Sequence, residues 1–155
     1  MLPNSGIIGL LERMNMMADI VVAGGISVNG DSSLNFGNHL IKEKLKVKDF
    51  DVNGNIYSVK THNEVTRLEQ NEQLLLECVP GASFWNFSVN ENELTCVAKG
   101  AGVINLTLEL APDTEYAFFV GGKKIGSQKS NLSGKISFSA ELAEQGIEIK
   151  IQRAR

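Results

Sequence analysis

Histidine is almost missing from this 155-residue chain: His39 and His62 are the only two. That scarcity argues against a zinc centre, which takes about four nitrogen or sulfur ligands at matched spacings. Cys78 and Cys96 are the only cysteines. Two cysteines make no framework, and each lies among hydrophobic neighbours, so buried free thiols are expected, with a single disulfide as the alternative. A catalytic cysteine would need an electropositive, partly open setting, which these apolar surroundings do not suggest. No G-x-S-x-G elbow accompanies the histidines. Glycine is plentiful, yet no G-x-x-x-x-G-K-[ST] loop occurs, and Gly121-Gly122-Lys123 reads as a hairpin turn. With 3 prolines against 15 glycines, a proline-rich linker or collagenous repeat is excluded. No run is long and apolar enough for a membrane span, so no membrane partner is expected.

Charge of one sign is lacking as well. Lys+Arg 15 against Asp+Glu 18 leaves a net charge of -3 with no block of either sign. Nucleic acid is therefore not expected as a partner, because phosphate binding needs a clustered basic face. The longest basic pattern is Lys42, Lys44, Lys46 and Lys48, which a strand would place on one side. It reads as a solvated or edge-protecting face, since lysines keep sheet edges from pairing. A polyanion-binding stripe is the alternative.

What remains is strand sequence broken by turns. From residue 19 onward short apolar alternations are separated by Gly and Asn turns, without sustained helical periodicity. Ile20–Val22 is a short apolar run, and Leu34 and Phe36 alternate with polar residues. Asn53-Gly54 separates Leu45 and Val47 from the run Ile56-Tyr57-Ser58-Val59-Lys60, a strong hairpin signal because both turn residues tolerate positive φ. Further strands are expected over Glu64–Leu68 and Leu74–Val79, with Pro80-Gly81 closing the latter as a possible subdomain seam.

The second half is more regular. Trp85, Phe87 and Val89 are expected on one face. Leu94, Cys96 and Ala98 follow, then Ile104, Leu106, Leu108 and Leu110. Tyr116, Phe118 and Val120 continue the series, with Ile136, Phe138, Ala140 and Leu142 and finally Ile147, Ile149 and Ile151 behind them. Glu141–Gln145 is long enough for one helical turn. Single apolar faces must be buried against one another, so the fold class is all-β, an antiparallel β-sandwich of Greek-key or jelly-roll type. One domain over residues 19–155 suits the length.

The amino terminus stands apart. Gly6–Leu11 is apolar, but no basic start precedes it, Glu12 and Arg13 end it, and no small-residue cleavage site follows directly. It is read as neither a signal peptide nor a membrane span, which favours a cytoplasmic location. Met14, Met16 and Met17 stand just before strand-like sequence, so residues 1–18 are expected to be a short tail or a mis-called start.

Two resemblances follow from particular residues. Leu110-Ala111-Pro112-Asp113-Thr114-Glu115-Tyr116 resembles the L-x-P-x-T-x-Y segment that opens the sixth strand of fibronectin type III domains. That resemblance implies a structural role for Tyr116, whose hydroxyl would bond back to the backbone at the corner between sheets. The added segment Lys123–Gly134 departs from the seven-strand pattern. More broadly, Leu34-Asn35-Phe36-Gly37, Val59-Lys60-Thr61, Val79-Pro80-Gly81, Leu108-Glu109-Leu110 and Asn131-Leu132-Ser133-Gly134-Lys135 resemble small bacterial β-rich proteins labelled endosialidase. The second half is also similar to accessory β-sandwich modules of carbohydrate-active enzymes. These resemblances imply a carbohydrate-associated protein.

The reactive residues do not add up to an enzyme. Sialidase chemistry needs converging arginines to hold a carboxylate, and of Arg13, Arg67, Arg153 and Arg155 three lie near the termini. A hydrolase also needs an acid and a base or nucleophile across a pocket. Alternation instead makes Glu93, Glu109 and Glu148 outward strand positions.

One metal candidate stands out. Asp49, Asp51, Asn53 and Asn55 alternate through Asp49–Ile56 with glycine at the sixth position, as in the first half of a calcium loop. Lys60 occupies the twelfth position, where a glutamate is expected, and the same residues make ordinary hairpin chemistry. Apart from calcium no cofactor is expected. Aromatics make up only 6% of the chain. Phe84 and Trp85 would point to opposite faces of a strand, and either one, if exposed, is a binding candidate. The expected function is a non-catalytic binding or assembly module, with a glycan or protein partner or a homo-oligomer. The alternatives are an endosialidase-like enzyme and a structural component of a bacterial or phage-like assembly.

Overall fold

A computed structural model describes residues 21–154. The expected tail at residues 1–18 lies outside them. Among the described residues there are thirteen strands, the first six being β1 (Ile26–Val28), β2 (Leu34–Phe36), β3 (Leu45–Val52), β4 (Asn55–Thr61), β5 (Thr66–Gln70) and β6 (Gln73–Val79). The rest are β7 (Ser83–Val89), β8 (Glu93–Lys99), β9 (Gly102–Glu109), β10 (Glu115–Val120), β11 (Lys123–Lys129), β12 (Lys135–Leu142) and β13 (Ile147–Arg153).

They form two antiparallel sheets that pack as a sandwich, without closing into a barrel. One has seven strands in the order β1-β2-β7-β8-β13-β10-β11, the other six in the order β12-β9-β6-β5-β4-β3. Alternation in the sequence is what makes the two faces. Ile104, Leu106 and Leu108 of β9 are buried while Asn105 and Thr107 turn away, and β12 matches them with Leu106 opposite Phe138. Phe138 then stacks on Phe118 of β10, in the other sheet, with ring centroids 4.3 Å apart. A single apolar cluster runs from Ile26 to Ile151, and each fully buried large side chain in it contributes about 1.5–3 kcal/mol. Pro80-Gly81 lies where the chain crosses from one sheet to the other, and residues on both sides of it belong to that cluster.

The hairpin expected at Asn53-Gly54 joins β3 to β4, with φ of 53° and 90°. Other boundaries shift. Of the run Ile20–Val22, the described Val21 and Val22 are not strand. Val22 instead donates its amide to Gly37, and the strand lies later, at β1. Ala143–Gly146 closes a hydrogen-bonded turn in place of a helical one. Strand β11 occupies the segment that interrupts the fibronectin-like pattern; six of its seven residues are exposed, so it has no apolar alternation to read.

The face expected for Trp85, Phe87 and Val89 is corrected by a bulge. Asn86 adopts φ 55° and the register with β8 slips between Trp85 and Ser88. The extra residue puts Phe84 and Phe87 on the same, inner side and leaves Trp85 outside.

The sandwich has two unlike ends. At one, three loops knit together around buried polar groups. Thr61 Oγ1 accepts the Asn38 amide at 2.8 Å and meets Thr66 Oγ1 at 2.8 Å, and Thr66 donates to the Ala82 carbonyl at 2.7 Å. At the other end the sheets part.

Candidate binding site

The parting is a cleft of about 510 Å³ between the sheets. Leu75 of β6, Leu94 of β8, Tyr116 of β10 and Ile151 of β13 form its buried floor. Gln70, Asn90, Glu91, Glu93, Glu109 and Arg153 make the polar rim. Such a volume, apolar below and polar at the lip, is typical of ligand pockets.

Its walls are fixed by local chemistry. The β7–β8 turn is held by Asn90, whose Oδ1 accepts the amides of Asn92 and Glu93 at 2.8 and 3.0 Å. This is the turn role for which asparagine is suited. On the far wall, where the chain crosses from β9 to β10, the Tyr116 hydroxyl accepts the Ala111 amide at 3.0 Å. Ser130 Oγ donates to the Ala111 carbonyl at 2.6 Å and accepts the Thr114 amide at 2.9 Å. Gly134 donates no side chain here: a Cβ would strike the Leu110 carbonyl oxygen, so only glycine lets the two turns touch.

The rim carboxylates are drawn apart. Glu93 pairs with Lys150 at 3.7 Å on the outer face of the seven-stranded sheet, and Glu109 with Lys135 at 3.9 Å on the outer face of the six-stranded one. Both occupy the outward strand positions that alternation assigns them. A glycosidase needs its two carboxyl groups turned toward each other across the substrate; here each is turned to a lysine on its own outer face.

The aromatic candidates part company. Phe84 is fully buried, stacked on Phe36 at 4.9 Å, and is a core residue. Trp85 is half-buried on the outer face, with Lys99 Nζ 5.0 Å from its ring centroid. Neither lines the cleft.

The calcium candidates are spread around a hairpin turn. Asp49 sits at a bulge with φ 59°, and Asp51 Oδ1 accepts the Gly54 amide at 2.9 Å. Asn53 donates to Ser32 Oγ at 3.1 Å, while Asn55 Oδ1 accepts from Asn71 at 3.2 Å. Asp51 is thus engaged within the hairpin turn itself, and Asn53 and Asn55 in joining it to neighbouring turns. Among the described residues no group of three or more His, Cys, Asp or Glu side chains is close enough to hold a metal ion.

One constellation has no sequence signature. At the closed end His39 Nδ1 lies 2.8 Å from Ser83 Oγ, and His39 Nε2 lies 3.3 Å from Glu144 Oε1. With Nε2–H donating to the carboxylate, Nδ1 accepts the Ser83 hydroxyl proton. The order of groups is that of a hydrolytic triad. Ser83 is nevertheless 0% exposed, and its Oγ also accepts the His39 amide at 3.4 Å. A nucleophile must meet its substrate, so this is a buried hydrogen-bond network. Two distant loops and the start of β7 bring it together, which no local motif could reveal.

Cys78 and Cys96 are free and buried. Burial pushes the Cys96 thiol up to about 12, with the Glu148 carboxylate adding to the effect. Cys78 is raised further, by burial first and then by Cys96. Thiols so placed stay protonated and inert.

Compared with protein-family models, curated proteins and solved structures, the chain matches none.

Proposed function

We propose that this chain is a non-catalytic β-sandwich binding module, with the cleft between the sheets as its ligand site and a carbohydrate as the ligand class. The observation that carries it is the cleft itself: a walled apolar floor under a lip of amide and carboxylate groups, with two of its three carboxylates, Glu93 and Glu109, pulled outward by Lys150 and Lys135. A sugar ring offers a C–H face to Leu94 and Tyr116, hydroxyl donors to Gln70 and Glu91, and hydroxyl acceptors to the Asn90 side-chain NH2. The similarity of the second half to accessory modules of carbohydrate-active enzymes supports the same ligand class. The fixed walls favour binding because little has to be ordered when a ligand arrives.

A glycan array tests it, followed by calorimetry of each hit against the native chain and Arg153→Ala. Binding that Arg153→Ala weakens supports the cleft. Turnover of a bound glycan, or an array without hits, contradicts the proposal.

A second reading, self-assembly, rests on β11. Among the described strands it pairs only with β10 and ends the sheet, and it exposes Ile125 at 46%. Such an edge can pair with another copy, although Lys123, Lys124 and Lys129 oppose it. A native mass above that of one chain favours assembly, and a monomer opposes it.

A further inference from the structure

The outer face of the six-stranded sheet carries a row of like charges. Lys46 of β3 lies directly opposite Lys60 of β4, and Lys60 directly opposite Arg67 of β5. Adjacent strands are about 4.8 Å apart, and like charges facing each other across a ladder destabilise it. Lys48, next along β3, extends the patch. Together these four cations, with Ser58 and Glu69, line an outer groove of about 260 Å³.

Two facts separate this row from an ordinary solvated face. Arg67 is already engaged, its Nε 3.2 Å from Glu69 and its Nη1 3.0 Å from Glu77. Among the described residues, no carboxylate lies within 4.0 Å of the Lys46, Lys48 or Lys60 ammonium. Edge protection, moreover, explains only part of it. β3 ends its sheet, so Lys46 and Lys48 can guard the edge, but Lys60 stands on β4, one strand in, where there is no edge to guard.

We propose that this groove binds a polyvalent oxyanion, a ligand carrying phosphate or sulfate groups, held by Lys46, Lys48 and Lys60 with Ser58 as a hydroxyl donor. An oxyanion placed between the lysines would relieve the repulsion along the row, and a polyvalent one bridges ammonium groups on two strands at once. Glu69, the only acidic residue lining the groove among the described residues, is held by Arg67 and leaves the lysines on β3 and β4 to the ligand. The site is separate from the cleft between the sheets and does not rest on it.

Calorimetric titration of the full chain with tripolyphosphate and with sucrose octasulfate tests this, the two arms separating phosphate from sulfate ligands. Binding of at least one is expected, tighter than that of orthophosphate and weakened as salt is raised. Lys60→Ala should weaken it about fivefold or more, the factor that one lost charge contact near the surface is worth. Lys123→Ala, on β11, should leave it unchanged. Lys60→Gln serves as a second variant, and both should melt no lower than the native chain, because the row repels itself. Absence of heat with both polyanions, or equal affinity for the native chain and both Lys60 variants, overturns the proposal.

Discussion

The hydroxyl of Tyr116 accepts the amide proton of Ala111 at 3.0 Å, spanning the point where the chain leaves one sheet for the other. The bond ties the wall of the open cleft to β10 and joins Ser130 in holding the crossover. Removing the oxygen in Tyr116→Phe leaves the Ala111 amide unpartnered while keeping the ring in the floor. A loss of about 1–2 kcal/mol is expected in urea denaturation. An unchanged midpoint would show that the corner is held by other contacts.

Ser83 should behave as a buried structural hydroxyl. A fluorophosphonate that labels activated serines is expected to leave the native chain unmodified, as mass spectrometry would show. Ser83→Ala should lower stability by about 1–3 kcal/mol, because His39 Nδ1 and the His39 amide lose their partner in a buried place. Labelling at Ser83 would instead point to hydrolytic chemistry.

The closed end depends on two glycines. A Cβ on Gly37 would strike the Ala82 carbonyl oxygen and one on Gly81 the His62 carbonyl oxygen, and Gly37 also has φ 100°. Gly37→Ala is expected to cost about 2–3 kcal/mol or more, measured by urea unfolding. A neutral substitution would mean that the three loops are free to separate.

The two thiols link stability to alkaline pH. Their folded values lie above the ordinary 9.0, with Cys96 at about 12. Below pH 9 both states hold these protons, so the thiols leave stability unaffected. Above it the unfolded chain ionises first and stability falls, through the window from 9 to about 12. Cys78→Ala/Cys96→Ala should flatten that decline. Ellman's reagent should also react with the thiols only after unfolding.

Much of this architecture is legible in the sequence because half-buried strands show their sidedness. Ile104, Leu106 and Leu108 announce β9, and Asn53-Gly54 announces the first long hairpin. What escapes is whatever breaks that period. Asn86 is an ordinary polar residue on paper, yet its left-handed conformation puts Phe84 and Phe87 on one side and reverses the expected role of Trp85. Strand β11 has no buried face to display. The cleft is invisible for another reason. Its lining comes from seven strands and the turns between them, and Glu93 and Glu109 are 16 positions apart in sequence yet flank the same mouth. Of the lysine alternation only Lys46 and Lys48 fall on β3, since Lys42 and Lys44 precede it, and only strand pairing sets Lys60 beside Lys46.

The central claim is that the mouth between the sheets binds a ligand without transforming it. Nuclear magnetic resonance of the isotopically labelled chain, titrated with the best glycan from the array, tests this most directly. Amide shifts confined to Gln70, Leu75, Asn90–Leu94, Glu109–Ala111, Tyr116 and Ile151–Arg153, with the glycan recovered intact, are the predicted result. Shifts centred elsewhere, or a cleaved glycan, would contradict it.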